Sequence, residues 1–297
     1  MKCDLCPRKC LVDRKKGEKG ICGQTENLKV ARAALHFWEE PCISGDAGSG
    51  AVFFSGCPLH CVFCQNENIA NGTVGKEISL ERLVDIFLEL QEKRANNINL
   101  VTPGHFVPQI VKALDQARKE GLTLPVVYNT SSYETVDTIK MLEGYVDIYL
   151  PDFKYMSPVL SKKYSHAPDY AEVAKAAIAE MVRQTGKAVF VNGEEDNLIL
   201  SGTIVRHLTL PGCMADSMQI LKYLHDTYVD KIYISIMNQF TPLSNLEKYP
   251  ELNRRITDEE YETLVDYAID IGIENGFIQE GDTAEESFIP AFDCEGV

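Results

Sequence analysis

Short apolar segments alternate with amphipathic helical segments through most of the chain. Each apolar segment ends at glycine, proline or a polar residue, as buried strands do. The segments that predict strands are 51–55, 98–102, 125–129, 146–150, 203–210 and 231–236. Helical periodicity predicts helices over 79–93, 108–119, 134–142, 170–185 and 217–228. Strands that alternate with helices in this way predict βαβ units around a parallel sheet.

Six such units predict an α/β fold, a curved and incompletely closed (β/α)6 barrel, with a doubly wound open sheet as the alternative. Residues 28–36 fit either a strand or a short helix, and 188–191 with 198–200 predict a hairpin or an extra turn. Thr257 and Glu260 have the spacing of a capping box that begins a last helix. We expect three regions: a cysteine-rich metal-binding segment with its lead-in at 1–45, a core at 46–280, and an acidic, loosely packed tail at 281–297.

Polar residues recur at the carboxyl ends of the predicted strands, the edge where parallel α/β folds carry their chemistry. They are Cys57 after the first strand, Thr102 and His105 after the second, Asn129 at the end of the third, Asp152 and Lys154 after the fourth, Arg206 within the fifth, and Asn238 and Gln239 after the sixth. This recurrence predicts one functional site. A surface ion pair is the alternative for Asp152 and Lys154. The alternatives are an ion pair with Asp152 for Arg206, a turn position for Asn129, and a structural role for His105 and His207.

Three cysteines, Cys57, Cys61 and Cys64, have C-x3-C-x2-C spacing in the loop after the first predicted strand. Thiolates are soft ligands that bind iron–sulfur clusters, zinc or copper(I). Three of them can hold three corners of a [4Fe–4S] cubane and leave the fourth iron open, as a reactive site requires. A zinc knuckle or a chance cluster is the alternative.

A second group of four cysteines lies among lysines and arginines at the start of the chain. Its members are Cys3, Cys6, Cys10 and Cys22. Their spacing predicts a closed metal site that holds either zinc or a second iron–sulfur cluster, with incidental free thiols as the alternative. The lack of a second C-x2-C pair favours the cluster. Because so small a segment has little core, the metal would contribute its folding free energy.

The net charge of -15 and the first residues exclude several classes of protein. A strongly negative field repels phosphate backbones, so we expect no nucleic-acid partner. The chain starts without an apolar signal segment and has no apolar run that could cross a bilayer, so we expect a cytoplasmic protein without membrane association. Ten cysteines in that setting are read as metal ligands, and the three outside the two groups, Cys42, Cys213 and Cys294, as buried or incidental thiols.

The motifs resemble those of the radical S-adenosylmethionine (SAM) family. The C-x3-C-x2-C spacing, with Phe63 before the last cysteine, is similar to that family's signature. Segments 6–10, 39–45, 53–57, 97–105, 146–155 and 206–212 are similar to a branch of iron–sulfur proteins related to pyruvate formate-lyase activating enzyme. The resemblance runs from Cys3 to about Pro242 and implies a partial barrel of the radical SAM type.

The resemblance also implies a role for individual residues. Cys57, Cys61 and Cys64 would hold the [4Fe–4S] cluster, whose open iron SAM chelates through its amino and carboxylate groups. The remaining implied contacts are Phe63 near the adenine, Thr102 and the following residues in place of a Gly-Gly-Glu motif at the SAM amino group, Asn129 at the ribose hydroxyls, Asp152 and Lys154 at the methionine end, Arg206 at the carboxylate, and Gln239 where a histidine often stands.

The activity implied is that of a radical SAM enzyme, an oxidoreductase that reductively cleaves SAM to a 5′-deoxyadenosyl radical for hydrogen abstraction. An electron donor such as flavodoxin or ferredoxin would be needed. The substrate is either a glycine of a partner enzyme, as in a glycyl-radical activase, or a small molecule, and the sequence does not separate these two. A non-catalytic iron–sulfur or zinc scaffold is a third hypothesis. No residue is predicted to act directly on the substrate.

Overall fold

A sheet of ten strands organises the part of the chain that the computed structural model describes, residues 2–194, 197–242, 246–279, 290 and 292–297. The strands are β1 (Leu28–His36), β2 (Ser49–Phe54), β3 (Lys76–Ile78), β4 (Ile98–Val101), β5 (Val126–Thr130), β6 (Ile148–Pro151), β7 (Val189–Phe190), β8 (Ile199–Leu208), β9 (Tyr233–Met237) and β10 (Gly276–Ile278). The α-helices are α1 (Pro41–Ser44), α2 (Glu67–Ala70), α3 (Leu80–Glu92), α4 (Val107–Lys119), α5 (Val136–Lys140), α6 (Pro158–Ser165), α7 (Tyr170–Thr185), α8 (Met214–Tyr228) and α9 (Asp258–Asp270).

Seven neighbouring strands run parallel in the order β2-β4-β5-β6-β8-β9-β10. This order follows the chain without the reversal that defines a doubly wound sheet, so it supports the partial barrel. The six predicted strands are confirmed as β2, β4, β5, β6, β8 and β9. The carboxyl ends of these strands therefore meet at one edge, as the sequence predicts.

Of the two alternatives for the lead-in at 28–36, the strand is correct: it is β1, which pairs antiparallel with both β2 and β3. Two other strands were not predicted. Strands β3 and β10 are each three residues long, too short for a pattern of alternating apolar residues to reveal. The segments 188–191 and 198–200 contain the paired strands β7 and β8, so the hairpin is confirmed over its described residues.

Helices α3 and α9 begin where capping residues predict. Ser79 accepts a hydrogen bond from the Arg82 amide at 3.1 Å, and Thr257 forms the predicted capping box with Glu260. Helix α3 then buries Leu83, Val84, Ile86, Phe87 and Leu90 against the sheet. Burial of each such side chain stabilises the fold by about 1.5–3 kcal/mol, and this fixes the helix on the sheet.

The end of the chain is packed against β1, which makes the expectation of a loose tail wrong for residues 292–297. The amide of Ala33 donates to Glu295 O at 2.9 Å, and that of Cys294 donates to Ala31 O at 3.1 Å. Phe292 packs edge-on against Phe53, with 5.4 Å between ring centroids. Strand β3 pairs with β1 only as far as Val30, and residues 292–297 pair with the part of the same edge that follows. Residues 281–289 and 291 lie outside the described chain.

The cysteine-rich segment at 2–27 contains one 3-10 turn, Arg14–Lys16, and otherwise follows the surface of the core. Its position relative to the core is set by polar contacts. Arg14 donates to His105 O at 2.5 Å, and Thr138 Oγ1 donates to Leu5 O at 2.6 Å. Within the described residues, none of the helices combines the length and apolarity that crossing a bilayer requires.

Candidate functional site

A cavity of about 250 Å3 lies at the carboxyl ends of the parallel strands. The structure places all ten residues of the predicted SAM and cluster site on its wall. They are Cys57, Cys61, Phe63, Cys64, Thr102, Asn129, Asp152, Lys154, Arg206 and Gln239. Because they come from six strand ends and their loops, the fold alone brings them together. Their individual roles toward SAM remain predictions.

The loop after β2 presents the three cysteines to the cavity. The Cys57 sulfur accepts a hydrogen bond from the Leu59 amide at 3.4 Å, and the Cys61 sulfur accepts one from Ser165 Oγ at 3.0 Å. Phe63, between the last two cysteines, is buried against Phe240 with 5.9 Å between ring centroids. The loop is therefore held by hydrogen bonds to sulfur and by aromatic packing.

Burial and mutual repulsion raise the pKa values of these thiols. Burial raises the pKa of Cys57 to about 11 and that of Cys64 to about 12, and the charge of Cys61 adds to both. Lys154 acts in the opposite direction on Cys57, Cys61 and Cys64, so its ammonium lies near all three. Metal binding at this position would displace the thiol protons, and Lys154 would offset part of the resulting negative charge.

The donor set of this cavity fits an iron–sulfur cluster. Among the described residues, no three His, Cys, Asp or Glu side chains converge on a point that one metal ion could occupy. In a cubane each cysteine binds a different iron, so its ligands line a wall and do not surround a single ion. Cys57, Cys61 and Cys64 lie on the wall of one cavity and would supply three such thiolates.

A buried network of charged and amide groups faces the cysteines. Arg206 Nε donates to Asp152 Oδ1 at 3.0 Å, and Arg206 Nη2 donates to Asn129 Oδ1 at 2.6 Å. Lys154 Nζ donates to Asp152 Oδ2 at 2.7 Å. The Lys154 and Asp152 side chains are 15% and 19% exposed, so the alternative of a surface ion pair is wrong. The network offers both signs of charge, as a zwitterionic ligand requires.

The charges in this network stabilise one another against burial. Burial alone would raise the pKa of Asp152, but the cations Lys154 and Arg206 outweigh it and lower that pKa. Burial would likewise lower the pKa of Lys154, and Asp152 more than compensates. The carboxylates of Asp152, Glu39 and Glu40 keep the pKa of Arg206 above its ordinary value. All three groups that sequence reasoning chose are therefore charged.

Glu39 and His36 belong to the site and were not predicted. Glu39 Oε2 accepts from Arg206 Nη1 at 2.9 Å, while its Oε1 accepts from the amides of Asn99 and Asn129, each at 3.1 Å. His36 lies on the cavity wall, and burial lowers its pKa to about 4, so it is neutral at pH 7. The motif at 39–45 contains Glu39 and carries part of the family resemblance, but none of its residues was assigned to the site.

Thr102 and His105 have different positions, although both follow the second predicted strand. Thr102 lines the cavity in a left-handed conformation, φ 53°, and its amide donates to Asn129 O at 2.9 Å. His105 is buried away from the cavity wall, with Nε2 donating to Ser55 O at 2.7 Å. His207 is also buried away from it, between Phe153 O and Ser217 Oγ. Both histidines therefore have a structural role and do not line the cavity.

Comparison with known proteins identifies the class. Residues 51–201, about half of the chain, match the family model of the radical SAM superfamily, and the chain belongs to that superfamily. An uncharacterized protein of Methanocaldococcus jannaschii, MJ0674, is 28% identical over 272 residues, which cover 90% of this chain and 74% of that protein. Membership implies a [4Fe–4S] cluster and SAM, which the cysteines and the charged network fit.

Solved structures share the fold at low sequence identity. Streptococcus suis SuiB bound to S-adenosylmethionine is 12% identical with a TM-score of 0.52, over 76% of this chain and 48% of SuiB. HydG, a maturase of the [FeFe]-hydrogenase, is 15% identical with a TM-score of 0.51, over 78% of this chain and 52% of HydG. The chain thus spans about half the length of these two proteins, and the likeness concerns the fold alone.

Proposed function

We propose that this radical SAM enzyme abstracts a hydrogen atom from a protein substrate, in the manner of a glycyl-radical activating enzyme. Reductive cleavage of bound SAM supplies the 5′-deoxyadenosyl radical for that step. The protein's part is to hold SAM and to keep water and stray hydrogen donors away. A substrate must then reach the cavity from the surface.

The residues around the cavity suit the first part of this task. Lys154 and Arg206 provide cations for a carboxylate, and Asp152 provides an anion for an amino group. The Asn129 side-chain amide is held between Glu39 and Arg206, and its second N–H and second lone pair would serve the ribose hydroxyls. Because these groups are already hydrogen-bonded to one another, they are positioned before the ligand binds, which lowers the entropic cost of binding.

One observation supports a polypeptide substrate. A second cavity, of about 160 Å3, shares His36, Trp38, Phe53 and Pro290 with the wall of the first. Over the described residues, the two cavities adjoin at these side chains and together extend from the cysteines to Phe37 and Trp38, which are 49% and 60% exposed. An extended groove with aromatic residues at its outer end suits a peptide segment, since aromatic side chains are enriched where proteins bind each other.

Deuterium transfer tests the proposal. Reduced protein and SAM are mixed with an extract of source cells grown on deuterated glycine, after dialysis has divided that extract into macromolecules and small molecules. We expect deuterium in the 5′-deoxyadenosine from the macromolecular fraction. A Phe37→Ala variant should lose most of that transfer while its SAM affinity stays unchanged. Deuterium transfer from the small-molecule fraction alone would reject a protein substrate and favour the small-molecule alternative.

A further inference from the structure

The four cysteines Cys3, Cys6, Cys10 and Cys22 lie outside the cavity, and the proposed function does not use them. They are nevertheless brought together by the fold of 2–27. The amide of Cys3 donates to Val12 O at 2.9 Å, and the charges of Cys10 and Cys22 both act on Cys6. The charges of Cys3 and Cys10 in turn raise the pKa of Cys22, so these cysteines lie near one another. The group therefore needs an explanation of its own.

Loop 6–10 shares its sequence pattern and two conformational features with the cluster loop 57–61. Both read Cys-Pro-x-x-Cys. In both, the residue before the second cysteine is left-handed without being glycine, Lys9 at φ 41° and His60 at φ 51°. In both, the amide two residues beyond the first cysteine favours its thiolate: Leu59 donates to the Cys57 sulfur at 3.4 Å, and the Arg8 amide partly offsets the rise in the pKa of Cys6. Strained backbone of this kind persists at functional sites that hold it in place.

Backbone amides act on sulfur in both cysteine groups. Ile21 donates to the Cys10 sulfur at 3.3 Å and Leu59 donates to the Cys57 sulfur at 3.4 Å. The amides of Arg8, Gln24 and Asn66 partly offset the rise that burial causes in the pKa values of Cys6, Cys22 and Cys64. A donated amide stabilises the thiolate, which is the form that binds metal. The four N-terminal cysteines are therefore built for ligation in the same way as Cys57, Cys61 and Cys64.

The segments that carry the two cysteine groups contact each other at three points. Arg8 Nε donates to Pro58 O at 2.8 Å. His60 Nε2 donates to Ile21 O at 2.8 Å, since a carbonyl can only accept. The carbonyl of Cys22 packs so closely on Gly56 that a Cβ there would lie 2.5 Å from it. Any metal centre on the four N-terminal cysteines therefore adjoins the cluster loop 57–61.

The surface of the cysteine-rich segment differs in charge from the rest of the protein. Residues 2–27 carry seven basic and four acidic side chains, in a chain whose net charge is -15. Lys9, Lys15, Lys16 and Lys19 are exposed. Such a positive region attracts an acidic partner, and the attraction accelerates their association.

We propose that Cys3, Cys6, Cys10 and Cys22 bind a second [4Fe–4S] cluster, which passes electrons from an acidic one-electron carrier protein to the SAM-binding cluster. Each transfer moves one electron: the reduced second cluster is oxidised, the SAM-binding cluster is reduced, and no bond or proton changes. A carrier of the flavodoxin or ferredoxin class then reduces the second cluster again. The relay depends on the proposed radical SAM activity, whereas the second cluster itself does not depend on any substrate.

Metal content tests the second cluster. Anaerobically reconstituted protein should hold about eight irons per chain, and Cys6→Ala/Cys10→Ala should hold about four. Cys213→Ser is the matched control, because serine is well tolerated at that helix N-cap, and it should keep about eight. About four irons in the unaltered protein, or one zinc per chain lost with Cys6 and Cys10, would overturn the assignment.

Reduction kinetics test the relay separately from the choice of substrate. In Cys6→Ala/Cys10→Ala, the SAM-binding cluster, followed by EPR, should be reduced at least tenfold more slowly by a flavodoxin and at an unchanged rate by dithionite. Lys15→Glu/Lys16→Glu keeps all cysteines, so it should retain its iron and lose several-fold in rate with flavodoxin alone. Equal rates with flavodoxin in the altered and unaltered proteins would reject the relay, even if a glycyl-radical partner were found.

Discussion

Arg206 Nη1 lies 2.9 Å from Glu39 Oε2, which ties the loop after β1 to the carboxyl-terminal part of β8. The two side chains are 12% and 8% exposed. At this ion pair, a segment outside the parallel strands contributes to the wall of the cavity that the three cysteines line. It also orients Arg206, whose other nitrogens bond to Asp152 and Asn129.

Loss of this buried pair should destabilise the protein strongly. Glu39→Ala leaves the Arg206 guanidinium with one carboxylate fewer, and removal of one partner from a buried pair costs about 3–5 kcal/mol. The control is Lys222→Ala, which breaks an exposed pair with Asp226 and should cost less than about 1 kcal/mol. Urea unfolding of the metal-free proteins gives both values. Equal losses would mean that the Glu39 pair is energetically an ordinary surface contact.

Lys154 should be needed for SAM binding and not for the cluster. Its ammonium bonds to Asp152 and lies near the three thiols, but it is not a metal ligand. A charge-assisted hydrogen bond is worth about 1.5–3 kcal/mol, so Lys154→Ala should weaken SAM binding by roughly ten- to a hundredfold. Iron content and the EPR signal should be retained.

The exposed Lys163, which pairs with Glu251, provides the control for that titration. Lys163→Ala should bind SAM as the unaltered protein does. A wild-type dissociation constant for Lys154→Ala would show that the charged network serves folding alone.

The sequence reveals those parts of the fold and site that local patterns encode. Long amphipathic helices such as α7 and strand-end residues such as Asp152 follow from periodicity and from the geometry of parallel sheets. Glu39 could not be chosen in that way, since its partner Arg206 is 167 residues away and only tertiary structure joins them. The packing of 292–297 on β1 depends equally on a long-range contact, Phe292 with Phe53.

Burial of His207 should make stability depend on pH. Burial lowers its pKa to about 4, and Nδ1 donates to Phe153 O at 2.8 Å, so the folded protein keeps the ring neutral. The unfolded chain, with a pKa near about 6.5, binds the proton first as pH falls. The contribution of neutral His207 to the free energy of unfolding is therefore complete above about pH 6.5. It declines toward pH 4, by about 3 kcal/mol in all.

His207→Gln removes this titration. Urea unfolding of the metal-free proteins from pH 7.5 to pH 4.5 should show a flatter decline in the variant. His36 and His105 titrate in both proteins, so the difference between the two curves isolates His207. Parallel curves would contradict its assignment as a neutral buried histidine.

Gly56 should be irreplaceable because two constraints coincide there. Its φ is +92°, and a Cβ would lie 2.5 Å from Cys22 O and 2.6 Å from Gln24 Cγ. Gly121 is the matched control, with φ +107° and open space around it. Gly121→Ala should cost about 1–3 kcal/mol from backbone strain alone.

Gly56→Ala should cost more than Gly121→Ala and should also lower the iron content, because it pushes the cysteine-rich segment away from the cluster loop. Thermal unfolding and iron analysis of the two variants provide the comparison. Similar losses of stability with full iron content in both would show that the contact between Cys22 and Gly56 is unimportant.

The most direct test of the site is SAM cleavage by Cys61→Ala. Its sulfur is one of three proposed cluster ligands on the cavity wall, and it accepts a hydrogen bond from Ser165. Under anaerobic reduction, the unaltered protein should release methionine and 5′-deoxyadenosine in equal amounts, while Cys61→Ala, with an unchanged circular dichroism spectrum, should release neither. Formation of 5′-deoxyadenosine by Cys61→Ala at the rate of the unaltered protein would contradict the account of this site.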